Sequence, residues 1–214
     1  MTASPVTTAE PIGLTAHELR YLCELEPTAV ARANLRRFGL PDVVDESDAI
    51  GAGASTLLVR GLATVTDGTL VLGEIAGLVG YVITHATGWT ELALLSAGVT
   101  DGALILTADD LSLLFTPRSL AIFETVALRP GSRVRDTVLP LTRAFLDESA
   151  DRIAVVRAST DDGERSAAVI RTGADRWRVA FDVPRPGSPE LPESAYADRD
   201  RVSALGDLGK VLDR

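Results

Sequence analysis

The chain has 214 residues, of which 46% are hydrophobic and 24% are charged, and its formal net charge is −9. This length allows one sizeable domain or two small ones, and the composition is typical of a globular protein rather than a disordered one. The negative charge disfavours binding to polyanions such as DNA.

The N-terminal part begins with a stretch rich in Thr, Ala and Pro, so residues 1–13 are predicted to form a flexible tail. Thr15 and Glu18 then have the spacing of a capping box, in which each residue satisfies a backbone N–H of the other. Apolar residues recur at helical spacing after this point. They predict four helices, over residues 15–25, 28–38, 47–60 and 73–86.

A tight hairpin is predicted between the third and fourth helices. Gly61 ends the third helix, and two short β-rich runs follow, joined by Asp67 and Gly68. This dipeptide suits a type I′ turn, whose two central residues need positive φ. Because three helices followed by a hairpin are the core of a winged helix, residues 14–90 are predicted to be a winged-helix-like portion.

The pattern changes from helices to strands after residue 90. Asp101-Gly102 and Asp109-Asp110 are expected to mark turns of an antiparallel meander. Four runs precede a crossing helix, 132–147, which Pro140 is expected to kink or split. Several runs are apolar on both faces, so helices or a partner must cover them. The predicted strands span residues 91–97, 103–107, 111–117, 120–129, 153–159, 166–172 and 176–183.

A proline-rich linker separates this sheet portion, 91–183, from the C-terminal segment, 184–214. Within that segment, residues 202–212 predict an amphipathic helix that needs a docking surface to be stable. We hypothesise that this helix, or a partner's helix in its place, packs on an apolar surface of the sheet. The expected fold is therefore α+β, with a winged-helix-like N-terminal portion, a mostly antiparallel sheet and flanking helices.

Residues that bear chemistry do not form a recognisable site in this sequence. The single cysteine, Cys23, excludes an intrachain disulfide and is expected to be a buried, unreactive thiol. His17 and His85 lie on different predicted helices without carboxylates at metal-ligand spacing. We therefore expect no catalytic, metal-binding or cofactor-binding residue, no cofactor and no enzymatic activity. The paired acids at 109–110 and 161–162 could be catalytic carboxylates, but adjacent acids beside strands are usually solvated turns. The glycines at 51 and 53 resemble part of a nucleotide-binding loop, but we interpret them as positions where a helix packs closely on its neighbour.

A winged helix raises the possibility of DNA binding, which the charges oppose. The third predicted helix carries Asp48 at its start and only Arg60 as a base, and the predicted wing offers Asp67. A protein that reads a DNA groove normally neutralises several phosphates with Lys and Arg. One basic patch lies on the second helix, at Arg32, Arg36 and Arg37.

Two short motifs give the chain a resemblance to a known family. Leu-Thr-x-x-Glu-Leu occupies residues 14–19, and Arg60-Gly61-Leu62 precedes the predicted hairpin. In this order, and followed by a strand-rich stretch, they resemble the EspG family, the cytosolic chaperones of type VII (ESX) secretion in actinobacteria. The resemblance implies a central antiparallel sheet flanked by helices and the binding of a secretion substrate. It assigns no cargo-binding residue.

The expected function is that of a non-catalytic protein-binding chaperone that is EspG-like and holds a secretion substrate, and the alternative is a winged-helix DNA-binding transcriptional regulator. The start of the sequence has no signal-peptide pattern, and Glu74 interrupts a short apolar run at 70–86, so we expect a cytoplasmic protein without a membrane span. The partner is expected to be a protein, either the substrate or a second copy of the chain in a homodimer.

Overall fold

The computed structural model describes residues 10–40, 47–97, 99–161, 163–185 and 192–213. Most of the predicted tail, 1–13, lies outside these residues. The same is true of most of the acidic linker at residues 42–48 and of most of the proline-rich linker at 184–192. The described residues contain six α-helices: α1 (Ala16–Glu24), α2 (Ala29–Arg37), α3 (Ser47–Val59), α4 (Glu74–His85), α5 (Val134–Glu148) and α6 (Arg201–Leu212).

Eleven strands accompany these helices, which makes the fold α+β as predicted. They are β1 (Ile12–Thr15), β2 (Ala63–Thr66), β3 (Thr69–Leu72), β4 (Gly88–Ser96), β5 (Val99–Ala108), β6 (Leu111–Arg118), β7 (Ile122–Ala127), β8 (Ile153–Thr160), β9 (Gly163–Arg171), β10 (Trp177–Phe181) and β11 (Ala197–Arg199).

Nine of the strands form an antiparallel sheet with the order β1-β7-β6-β5-β4-β8-β9-β10-β11, and β2 pairs with β3 alone. The predicted meander is therefore confirmed, because β4 to β7 are neighbours in chain order. The chain folds as two compact units. Of the described residues, the N-terminal unit takes those up to Thr87 and Leu104–Pro130, and the C-terminal unit takes Gly88–Ala103 and those from Gly131 onward.

Helices α1, α2, α3 and α4 form the helical part of the N-terminal unit, with α1 packed against each of the other three. The predicted capping box at Thr15 and Glu18 is confirmed at the start of α1. Asn34 of α2 is buried, and its Nδ2 donates to the carbonyl oxygens of Ile83 and Ala86, at 2.9 Å each. This asparagine therefore satisfies carbonyls at the end of α4 that would otherwise lack a partner.

The β2–β3 hairpin has the turn that the sequence predicts. Two residues, Asp67 and Gly68, connect the strands, and their φ angles are +51° and +76°. Both angles lie in the left-handed region that a type I′ turn requires. Open space surrounds the position that a β-carbon on Gly68 would take, so only backbone strain limits substitution there.

We expect Gly68→Val to lower the free energy of unfolding by about 1 kcal/mol or more, because a β-branched residue is strained at positive φ. Thr66→Val is the matched control, since it places the same side chain on the adjoining strand. Chemical denaturation of both variants measures the difference. Equal stability of the two variants would show that the turn conformation contributes nothing.

Helix α6 packs on the chain's own sheet in the C-terminal unit. It contacts β8, β9, β10 and α5, and Ala204 and Leu208 on its inner side are fully buried. The hypothesis that the C-terminal helix covers an apolar surface of the sheet is thus confirmed, with the surface belonging to the same chain. Asp200 caps the helix by accepting a hydrogen bond from the backbone N–H of Ser203 at 2.9 Å.

Four details of the sequence interpretation were wrong or incomplete. Asp101 and Gly102 lie inside β5 rather than in a turn, because the Gly102 backbone passes so close to β4 that a β-carbon would lie 2.5 Å from the Leu92 carbonyl oxygen. Of the kink or split expected at Pro140, the split does not occur, because α5 is continuous. Residues 12–13 of the predicted tail belong to β1, and residues 197–199, before the predicted C-terminal helix, form β11. The spacing of apolar residues in α4 predicts a buried Ile75, which is half exposed.

None of the helices in the described part of the chain combines the length and the apolar character that a membrane span needs.

Candidate functional site

The two motifs behind the family resemblance meet at one buried ion pair in the N-terminal unit. The Glu18 carboxylate is fully buried and accepts two hydrogen bonds from Nη1 of Arg60, at 2.8 and 2.7 Å. Nη2 of Arg60 donates to the Gly13 carbonyl oxygen at 2.6 Å, and Glu18 Oε2 accepts from the Thr15 backbone N–H at 2.7 Å. Arg60 therefore joins the end of α3 to β1 and to the start of α1.

A close contact between α1 and α3 accompanies this ion pair. A β-carbon on Gly53 would overlap the carbonyl group of His17 and the side chain of Tyr21. The expectation that another backbone packs closely against this part of α3 is confirmed at Gly53, whereas Gly51 faces open space. Glu18 and Arg60, one residue from each motif, thus hold this part of the N-terminal unit together.

An apolar groove of about 260 Å³ lies in the N-terminal unit, between α1, β3 and α4. Gly77 and Gly80 of α4 are two of its lining residues. Leu22 and Leu72 would touch a β-carbon on Gly80, whereas nothing lies within 4 Å of a β-carbon on Gly77. The α4 backbone is therefore accessible at Gly77, and a second chain can approach it closely.

One end of the groove is polar and carries a carboxylate. Glu26 Oε2 lies 3.5 Å from His85 Nε2 and 3.4 Å from the Thr84 hydroxyl. The Tyr81 ring stacks on His85, with ring centroids 4.4 Å apart, and the Tyr81 hydroxyl donates to Asp109 Oδ2 at 2.5 Å. This hydrogen bond raises the pKa of Tyr81, since it stabilises the protonated phenol beside a carboxylate.

Exposed large apolar side chains are concentrated in the N-terminal unit. Of the ten such side chains among the described residues, eight belong to this unit: Leu25, Val59, Val65, Val71, Ile75, Tyr81, Leu111 and Leu120. Leu120 is 91% exposed and has a φ of +62°, a conformation that costs a leucine about 1–2 kcal/mol. Leu25 and Tyr81 also line the groove.

Cys23 has the environment of an unreactive thiol, as predicted. It is buried in α1, and its Sγ donates to the Ala31 carbonyl oxygen at 3.6 Å. The pKa of Cys23 is raised to about 12, mainly by burial and to a smaller extent by the nearby negative charge of Glu24. The reactive thiolate is therefore disfavoured at neutral pH.

The two histidines and the paired acids lie where the sequence analysis expects them, on helices and in turns respectively. His17 and His85 lie on α1 and α4, and both are exposed. Asp109 and Asp110 form the turn between β5 and β6, Asp161 follows β8, and position 162 lies outside the described residues. No group of three or more potential metal-binding side chains occurs within the described ranges.

The sequence predicts two of the helix faces that line the groove, but it does not predict that they lie together. The spacing of Gly73, Gly77 and Gly80 predicts a smooth face on α4, and the spacing of Leu19, Leu22 and Cys23 predicts an apolar stripe on α1. What was missing is that Leu72 of β3 and the end of α1 come together beside that face. Comparison with known proteins adds no assignment, since no family model and no curated protein matches this chain.

Proposed function

We propose that this chain is a non-catalytic, cytoplasmic protein-binding chaperone, similar to the EspG family, that holds a type VII secretion substrate. The observation that carries the proposal is the concentration of exposed large apolar side chains in the N-terminal unit. Two of these side chains, Leu25 and Tyr81, line one groove, and exposed apolar surface of this kind is used for protein association. Eight such side chains in one unit of a chain with a net charge of −9 therefore favour a protein partner over a polyanion.

The proposal includes a winged-helix-like arrangement of α1, α2, α3 and the β2–β3 hairpin. The order of these elements and the two-residue turn at Asp67 and Gly68 support it. The two motifs of the family resemblance, residues 14–19 and 60–62, lie in this arrangement and are joined by the Glu18–Arg60 ion pair.

The alternative, a winged-helix DNA-binding regulator, has less support. Arg60 is the basic residue at the end of α3, and its guanidinium group is bound to Glu18 and to the Gly13 carbonyl oxygen. The hairpin offers Asp67 and no basic side chain. A DNA-binding surface in the usual geometry needs several cationic side chains directed at phosphates.

The test asks first whether the genes that flank the gene for this chain encode small secreted helical-hairpin proteins, and then whether those proteins bind this chain. We expect a stable complex that survives size-exclusion chromatography, and calorimetry should give a negative heat-capacity change because apolar surface is buried. The mass of the free chain, from light scattering, shows whether a homodimer competes with this complex.

A random-sequence DNA duplex at physiological salt is the control ligand. We expect no duplex binding tighter than about 10⁻⁴ M, the weak end of non-specific affinity. A sequence-selective duplex complex at sub-micromolar protein, with no complex formed by the neighbouring secreted proteins, would replace the chaperone by the regulator.

A further inference from the structure

The groove between α1, β3 and α4 has the size and lining of a site for side chains of a partner helix. Its volume of about 260 Å³ falls below the range of about 300–1,000 Å³ that is typical of small-molecule pockets. Two or three apolar side chains at helical spacing would fill such a groove, as in other helix-in-groove complexes. The accessible backbone at Gly77 allows the partner's own backbone to come close.

The backbone of the groove favours a helix over an extended peptide. An extended peptide gains affinity from main-chain hydrogen bonds to a strand edge. Here most of the lining comes from α1 and α4, whose internal peptide groups are bonded within their own helices, and Leu72 is the one lining residue from a strand. A partner helix also satisfies its own peptide groups, so it needs only apolar contact from this surface.

The charge at one end of the groove defines the partner further. Glu26 lies there, 57% exposed in its side chain, and Glu24 is the last residue of α1. The last turn of α1 holds no basic residue, so the negative end of its helix dipole is not neutralised from within that turn. His85 is the titratable base that faces Glu26. Tyr81 lies one turn before His85 on α4, and its hydroxyl donates to Asp109 in the turn between β5 and β6.

The chain's own C-terminal helix does not compete for this site. Helix α6 is engaged with β8, β9 and β10 in the C-terminal unit, with Leu208 fully buried.

We propose that this groove binds an amphipathic α-helix of a partner protein, with apolar side chains over Gly77 and Gly80 and an arginine or lysine beside Glu26. The inference rests on the proposed protein-binding function and assigns it a site and a class of partner. The apolar contact supplies affinity, and the carboxylate sets the direction in which the helix lies.

A pair of glycine substitutions tests the groove without harming the fold. Gly77→Leu fills the open space over α4, and Gly51→Leu is the matched control, because Gly51 is also a helical glycine with open space around it. Leucine is a better helix former than glycine, so neither variant should unfold more readily than the natural chain. Circular dichroism melting verifies this for both.

The probe is a fluorescein-labelled amphipathic helix of about 18 residues, long enough to be helical in solution. One version has arginine at the end of its leucine face, and a second has glutamate there. In fluorescence anisotropy we expect the arginine helix to bind the natural chain and Gly51→Leu equally, and Gly77→Leu at least about tenfold more weakly. Glu26→Gln should weaken the arginine helix about two- to fivefold and strengthen the glutamate helix by a similar factor, because it removes both the attraction and the repulsion.

Several results would overturn the inference. The first is that the arginine helix does not bind the natural chain. The second is that Gly77→Leu and Gly51→Leu bind the arginine helix equally well. The third is that the natural chain binds the arginine and glutamate helices with equal affinity. The secreted neighbour proteins separate this inference from the proposed function. If they bind all variants equally, the groove is not the site and the function stands. If they do not bind, while the arginine helix binds and Gly77→Leu weakens it, the groove stands and the EspG-like function falls.

Discussion

A chain that ends at Pro184 is expected to lose the cooperative unfolding of the C-terminal unit, because it lacks both β11 and α6. Helix α6 buries Leu208, Val211 and Leu212 within that unit. Burial of one such side chain contributes about 1.5–3 kcal/mol, and a whole domain is stable by only about 5–15 kcal/mol. Removing the helix should therefore expose apolar surface on β8, β9 and β10, measured as dye binding and aggregation.

Point substitutions within α6 distinguish lost packing from a general effect of truncation. Leu208→Ala should lower the free energy of unfolding by about 2–5 kcal/mol, because Leu208 is fully buried. Val202→Ala on the same helix should change it by less than about 0.5 kcal/mol, since Val202 is 80% exposed. A truncated chain that stays monomeric and melts like the full chain would show that α6 stabilises nothing.

The second large effect is expected at the Glu18–Arg60 ion pair. Arg60→Met should lower the free energy of unfolding by about 3–5 kcal/mol, because it leaves the Glu18 carboxylate buried without its cation. The carboxylate is fully buried, and the arginine side chain is 34% exposed. Urea denaturation of the variant, followed by circular dichroism, measures the loss.

Arg118→Met is the matched control, since Arg118 pairs with Glu124 in the same unit and also at 2.7 Å. That pair is exposed, with 51% of the arginine and 34% of the glutamate side chain accessible, so its loss should cost less than about 1 kcal/mol. If the two variants lost similar free energies of unfolding, the burial of Glu18 would not be the reason for the large effect at Arg60.

The features that could be predicted from the sequence are those fixed by neighbouring residues. The capping box at Thr15 and Glu18 needs residues three apart, and the turn at Asp67 and Gly68 needs two residues with positive φ. Both were identified correctly because no distant contact competes with them. The strands of the meander followed for the same reason, since each pairs with the next along the chain.

The features that could not be predicted depend on distant partners. Asp101-Gly102 has the composition of a turn, yet Gly102 serves the close approach of β5 to β4, which sequence spacing does not reveal. Arg157 was taken as part of a strand, and its guanidinium group is buried against the carbonyl oxygens of Val183 and Pro184. The candidate groove was missed in the same way, because its walls come from three elements separated in the chain.

The pairing of β1 with β7 has a consequence for the synthesis of this protein. Leu14 of β1 lies opposite Phe123 of β7, so the strand that leads into α1 has no partner until most of the N-terminal unit has been translated. At about 5–20 residues per second, the interval on the ribosome is on the order of 10 s. The edge strand of the sheet is therefore completed only after a delay of seconds, although its residues are made before those of every other strand in the sheet.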